Sequence, residues 1–176
     1  MQKQQSYKQI SGKLYLVPTP IGNLEDMTVR CVKILGEADL IASEDTRNTQ
    51  KLLNHFDITT PQRSLHEHNF KERVPQLIDQ LLAGKNIAQC SDAGMPSISD
   101  PGHELVKACI AAEIPVIALP GPTAGLTALP IFENVFNDTN HFCVRKILFK
   151  HFPDRFFPNN WLIGNLMVYC IVIIQL

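Results

Sequence analysis

The segment Ser91-Asp92-Ala93-Gly94-Met95-Pro96-Ser97-Ile98-Ser99-Asp100-Pro101-Gly102 has the residue types of a loop that cradles a polar ligand. Glycine permits close backbone approach and unusual dihedrals, and proline holds the turns rigid. The same composition also suits a well-capped connection between a strand and a helix, with Asp100 capping the helix that follows. Two further segments offer acid–base groups. In Ser43-Glu44-Asp45-Thr46-Arg47, Asp45 either faces a ligand or caps the next helix, and Glu44 with Arg47 has the spacing of a surface ion pair. In His66-Glu67-His68 the histidines alternate, so on a strand both would face one side. No cysteine or carboxylate cluster is spaced to complete a metal site around them, and no metal is predicted.

These segments need a scaffold, and the hydrophobic pattern supplies one. Lys13–Val17, Leu40–Ala42, Asn86–Cys90 and Pro115–Leu119 read as short buried strands. Helical spacing connects them. One helix, capped by Asp26, passes Val29, Val32 and Leu35 to about Ala38; a second covers Thr46–His55 with Leu52 and Leu53 inward. The clearest covers Lys71–Ala83, where Val74, Leu77, Ile78, Leu81 and Leu82 recur and Gly84 suits the stop; Pro75 requires its first turn. Another passes Leu105, Ala108, Cys109 and Ala112, and a last begins at Ala124. Strands alternating with helices predict an α/β fold with a mostly parallel sheet. Open sheets of that kind bind ligands beyond the carboxyl ends of their strands.

Composition narrows the classes. Of 176 residues, 45% are hydrophobic and 19% charged, as in an ordinary globular protein, and one core is expected. A formal net charge of −1 gives no global basic signal, so nucleic-acid contact would need a local patch. Cys31, Cys90, Cys109, Cys143 and Cys170 are scattered without a CxxC pair, which fits a reducing, cytoplasmic setting. The polar start, Met1–Ile10, has no hydrophobic core of a secretory signal. Neither a GxGxxG fingerprint nor a Walker loop is present, nor a nucleophile elbow, which excludes a phosphate-binding α/β hydrolase.

Five strand-end loops stand instead: Thr19–Leu24, Ser43–Thr49, Ser64–Asn69, Ser91–Gly102 and Pro120–Ala124. In this order, TPIGNLEDMT, EDTRNT, HEHN, SDAGMPSISDPG and the PGPT turn resemble the tetrapyrrole methylase superfamily. Within it they resemble the small-subunit ribosomal RNA methyltransferase I family, from Gly12 to Leu129. The resemblance implies S-adenosylmethionine as methyl donor, 2′-O-methylation of a decoding-centre cytidine in 16S rRNA of the small ribosomal subunit, and a homodimer with no membrane association. Carried over by motif, it implies a cofactor site formed by Pro20, Ile21 and Gly22, by Asp92, Ala93, Gly94, Pro96 and Ser97, and by Pro120, Gly121 and Thr123. The hydroxyl must also lose its proton, and Glu44, Asp45, His66 and Glu67 are the candidate bases, with spacing alone choosing none of them.

The character changes near Pro130. Seven of the nine phenylalanines lie in Ile131–Leu176, which contains no alanine and a single glycine, and the family pattern stops. Trp161–Ile174 is apolar but shorter than the roughly 20 residues of a membrane span. The expected organisation is a polar tail at 1–12, the N-terminal α/β domain of a tetrapyrrole methylase at 13–130, and a non-family tail at 131–176 left by a frameshift, with the second domain missing. Two alternatives follow. One is a half-domain remnant without turnover; the other is a superfamily methylase acting on another substrate, against which the TPIGNLEDMT loop argues.

Overall fold

The computed structural model describes residues 12–98, 100 and 102–128. Its elements alternate: β1 (Leu14–Leu16), a 3-10 turn (Leu24–Asp26), α1 (Val29–Glu37), β2 (Leu40–Ser43), α2 (Thr46–His55), β3 (Gln62–Ser64), α3 (Phe70–Leu82), β4 (Ile87–Cys90), α4 (Gly102–Ala111) and β5 (Val116–Ala118). The five strands form one sheet in the order β3-β2-β4-β1-β5, and every pair is parallel. This is the α/β architecture that the alternating pattern predicts.

The register explains where the loops meet. Leu14, Tyr15 and Leu16 pair with Ile87, Ala88 and Gln89 on one side and with Val116, Ile117 and Ala118 on the other. Ser43 at the end of β2 pairs with Cys90 at the end of β4. With Ser43 also paired to Ser64 at the end of β3, five loops leave one edge of the sheet side by side. Two apolar layers hold the sheet. Val17, Ile41, Ala88 and Cys90 pack with Cys31 and Leu35 of α1 and Leu52 and Leu53 of α2. Leu14, Leu16, Ala42 and Ile87 pack with Leu77 and Leu81 of α3 and Leu105 and Cys109 of α4. Thus β1 and β2 send their helices to one face, and β3 and β4 send theirs to the other. The crevice opened where neighbouring strands diverge in this way is the switch point at which such sheets bind ligands.

Several local expectations are corrected. Asp26 does not cap α1; it ends the 3-10 turn, and Thr28 caps the helix through the Cys31 N–H at 3.2 Å. Pro75 lies in the second turn of α3, not the first. Pro75 and Lys71, whose carbonyl loses its helical donor, are both exposed, a place where water can reach that carbonyl. Leu82 also faces out, at 58% exposure. His66-Glu67-His68 is a turn and not a strand, closed by the Asn69 N–H on the His66 carbonyl at 3.0 Å. The strand beside it is β3, a polar edge strand without an apolar run.

A second compact unit starts at Thr123. In it residues 124–128 are helical, and the Thr127 N–H meets the Thr123 carbonyl at 2.9 Å. The expectations for residues 1–11 and 131–176 lie outside the described residues. Among the described residues, no helix is long and apolar enough to cross a membrane.

Candidate functional site at the carboxyl edge of the sheet

The β1 and β4 loops are joined through their backbones. Thr19 and Gly94 exchange two hydrogen bonds, each 3.0 Å, and the Thr19 hydroxyl donates to the Ser91 carbonyl at 3.1 Å. Gly94 sits at φ +75°, and a Cβ there would lie 3.3 Å from Ile21 Cγ2. The positive φ favours glycine, and any larger side chain would also press on Ile21. On the far side of β1, Gly121 packs against buried Pro18, where a Cβ would come within 2.8 Å. Pro20, Ile21, Gly22, Asp92, Ala93, Gly94, Pro96, Ser97, Pro120 and Gly121 thus converge along the ends of β1, β4 and β5. Thr123 lies in the second unit.

The loop after β4 is internally braced. Asp100 accepts from the Ser97 N–H at 2.6 Å and from the Gly102 N–H at 2.9 Å, so it does cap the start of α4. Ser97 holds φ +69°, a conformation that costs a non-glycine residue about 1–2 kcal/mol. A second bond to its side chain offsets that cost: Gln89 Nε2 donates to Ser97 Oγ at 3.0 Å. Gln89 is 2% exposed in the centre of the sheet, and its Oε1 has no partner among the described residues. Gly102 makes room for it, since a Cβ there would lie 1.5 Å from Gln89 Nε2. Sequence reading missed Gln89. A polar residue in the otherwise apolar Ile87–Cys90 strand is the signal that could have found it.

Side chains join the β2 and β4 loops. The Asp92 N–H donates to Glu44 Oε2 at 3.2 Å. In return Asp92 Oδ1 accepts from the Asp45 N–H at 3.2 Å, and Oδ2 accepts from Asn48 Nδ2 at 3.1 Å. Glu44 does not pair with Arg47. Asp45 does: it caps α2 through the Arg47 N–H at 2.8 Å and grips the guanidinium at 2.6 and 3.1 Å. Those bonds hold the Asp45 carboxyl at about 2. Burial pushes the Glu44 carboxyl up, the Asp92 N–H opposes it, and the Asp92, Asp100 and Glu67 carboxylates add to the rise. His66 and Glu67 stand after β3, at the outer edge of the sheet. His66 faces the Asn69 amide at 3.1 Å and receives the His68 N–H at 3.3 Å.

Other chemistry is weakly served. Burial pushes the thiols of Cys90 and Cys109 up to about 12, so they are poor nucleophiles. Among the described residues, no group of three or more metal-ligating side chains comes together.

A polar ligand at this edge meets two kinds of surface. Among the described residues, no hydrogen bond engages the N–H of Gly22 or Ala93, one on each side of the Thr19–Gly94 bridge. Pro20, Ile21, Ala93, Ile98 and Pro120 offer apolar surface, Ile98 at 60% exposure, and Glu44 and Asp92 offer carboxylates.

This fold and this edge define a class. The model of the tetrapyrrole (corrin/porphyrin) methylases matches residues 13–133, and the chain belongs to that family. Within it, the chain is 64% identical over 131 residues to ribosomal RNA small subunit methyltransferase I of Streptococcus pyogenes serotype M3, covering 73% of this chain and 46% of that protein. The chain spans about half the length of the curated relatives it matches. Among solved structures, uroporphyrin-III-C-methyltransferase from Thermus thermophilus shares the fold, with a TM-score of 0.53 at 23% identity over 68% of this chain and 51% of that one. The enzyme solved with S-adenyl homocysteine gives 0.50 at 22% identity, over 64% and 46%.

Proposed function

We propose that this chain provides one wall of the S-adenosylmethionine site of a methyltransferase acting on small-subunit ribosomal RNA, and that the acceptor is the 2′-hydroxyl of a decoding-centre cytidine. The observation that carries the reading is the 64% identity to ribosomal RNA small subunit methyltransferase I, together with the meeting of the matching loops at the switch point.

The residues present fit the cofactor's chemistry. A cationic sulfonium is favoured beside the Glu44 and Asp92 carboxylates. Its polar groups can use the N–H groups of Gly22 and Ala93, and Pro20, Ile21, Ala93, Ile98 and Pro120 suit the flat face of adenine. When bound, S-adenosylmethionine supplies an electrophilic methyl whose bond to sulfur breaks with the electron pair left on sulfur. The chain's part is to hold donor and acceptor in line, an effect that can account for several kcal/mol of the barrier. The Thr19–Gly94 bridge suits it, because backbone pairs fix the loops before any ligand arrives. Matched relatives are about twice as long as the matched segment, so the whole protein would add contacts, and a homodimer is part of the proposal.

Calorimetric titration with S-adenosylmethionine tests the reading, followed by tritium transfer to undermethylated small subunits. Saturable binding and label in 16S rRNA are expected. No binding at millimolar cofactor would refute the cofactor site, and label confined to another acceptor would refute the RNA assignment.

A further inference from the structure

We infer that Glu44 is the group that takes the proton from the acceptor hydroxyl. The inference rests on the reading of the chain as a hydroxyl methyltransferase and selects among Glu44, Asp45, His66 and Glu67, which sequence spacing leaves equal.

Placement decides between the two ends of the set. Glu44 follows Ser43, whose partner in the sheet is Cys90, and its own N–H bonds the Cys90 carbonyl at 3.2 Å. It therefore emerges against the loop after β4, with β4 alone standing between its strand and β1, where the candidate cofactor surface lies. His66 and Glu67 follow β3, at the edge of the sheet and two strands further from β1 than β4 is.

Existing bonds decide between the neighbours. Both oxygens of Asp45 are bound by Arg47, and one also caps α2. A proton on Asp45 would remove its charge-assisted grip on the Arg47 guanidinium, so it is a poor acceptor. His66 has both ring nitrogens against the chain's own amides. Glu44 is different. One oxygen is oriented by the Asp92 N–H, and the other has no hydrogen bond among the described residues. It is half-buried, and the charges facing it are Asp92 and Asp100 from the β4 loop and Glu67 from the β3 loop, with Asp45 and Arg47 following it in the chain. Protonation removes one negative charge from among those carboxylates. Burial and those neighbours raise its affinity for a proton, the direction that favours a general base.

The transfer balances. The hydroxyl oxygen bonds the methyl carbon as the carbon–sulfur bond breaks, the electron pair stays on sulfur, and the hydroxyl proton passes to the free oxygen of Glu44. That proton leaves to water with the product.

The first test needs no cofactor. In the full chain labelled with carboxyl carbon-13, the resonance lost in Glu44→Gln should titrate above the ordinary glutamate value, and Asp92→Asn should bring it down. Tritium transfer to small subunits, measured at saturating cofactor, should fall about a hundredfold or more in Glu44→Gln. The rise of the parent's rate with pH should disappear in that variant, and Glu44→Asp should restore part of the rate. A Glu44 resonance at or below the ordinary value, or an unchanged rate in Glu44→Gln, overturns the inference. A parent that binds cofactor but transfers no methyl overturns it too and leaves the cofactor reading standing. A parent that binds no cofactor overturns that reading before any variant is made.

Discussion

Two junctions flank β4 at the carboxyl edge of the sheet, and different forces hold them. Toward β1, Thr19 and Gly94 are paired through backbone groups, with the bridge buried and no ionisable side chain in it. Toward β2, Glu44, Asp45, Asn48 and Asp92 are joined through the carboxylates of exposed Asp92 and half-buried Glu44. The first junction cannot titrate, and replacing a side chain leaves its bonds in place unless the backbone is displaced. The second responds to pH and to single side-chain changes. A site that must bind in one place and move a proton in another is served by that division: fixed geometry on the β1 side, adjustable charge on the β2 side.

Gly94→Val breaks the fixed junction. A branched side chain at φ +75° against Ile21 should cost at least about 2 kcal/mol in urea unfolding. A cost under about 0.5 kcal/mol would mean that the bridge is not rigid. Gly102→Ala comes next, because its Cβ must displace the Gln89 amide and release Ser97; about 1–3 kcal/mol is expected for a buried amide that loses its partner. Gln89→Leu removes donor and acceptor together, so pairing it with Gly102→Ala separates the lost bond from crowding.

Asp92→Ala should cost less, about 1 kcal/mol, because water can replace bonds at an exposed carboxylate. A loss as large as that of Gly94→Val would erase the distinction between the junctions. Glu44→Gln is the smallest effect and has the opposite sign. The folded protein raises the Glu44 carboxyl, so the stability it contributes is complete below its unfolded value near about 4.3 and is lost as pH rises through the folded value. The neutral variant should therefore melt slightly higher than the parent at pH 7 and equally at pH 4 or below. Asp45 behaves in reverse. Its stabilising bonds with Arg47 persist above the unfolded aspartate value and weaken as pH falls toward about 2, so the melting deficit of Asp45→Ala should shrink over that range.

The sheet was legible in the sequence because four of its strands are apolar runs bounded by turns, and α2 has the bounds its pattern predicts, Thr46–His55. β3 was not, since Gln62-Arg63-Ser64 at a sheet edge needs no apolar residues. The α1 cap moved from Asp26 to Thr28 because an intervening 3-10 turn, capped by Asn23, uses up those residues. At the site, loop identity and order were legible, and the backbone pairing was not. Gly94 and Ser97 look like amide donors to a ligand, yet the Gly94 N–H is bonded to Thr19 and the Ser97 N–H to Asp100. Pairing across 75 residues of chain, as between Thr19 and Gly94, leaves no trace in local spacing. Nor does the choice of Asp45 over Glu44 as the partner of Arg47, since the (i, i+3) spacing points to Glu44.

The most direct test of the central claim is an amide-resonance titration of the nitrogen-15-labelled chain with S-adenosylmethionine. Saturable shifts should appear at residues 19–22, 92–98 and 119–122. No saturable shift would contradict the account. So would shifts centred on the open recess of about 660 Å³ between the start of α2 and residues 58–62.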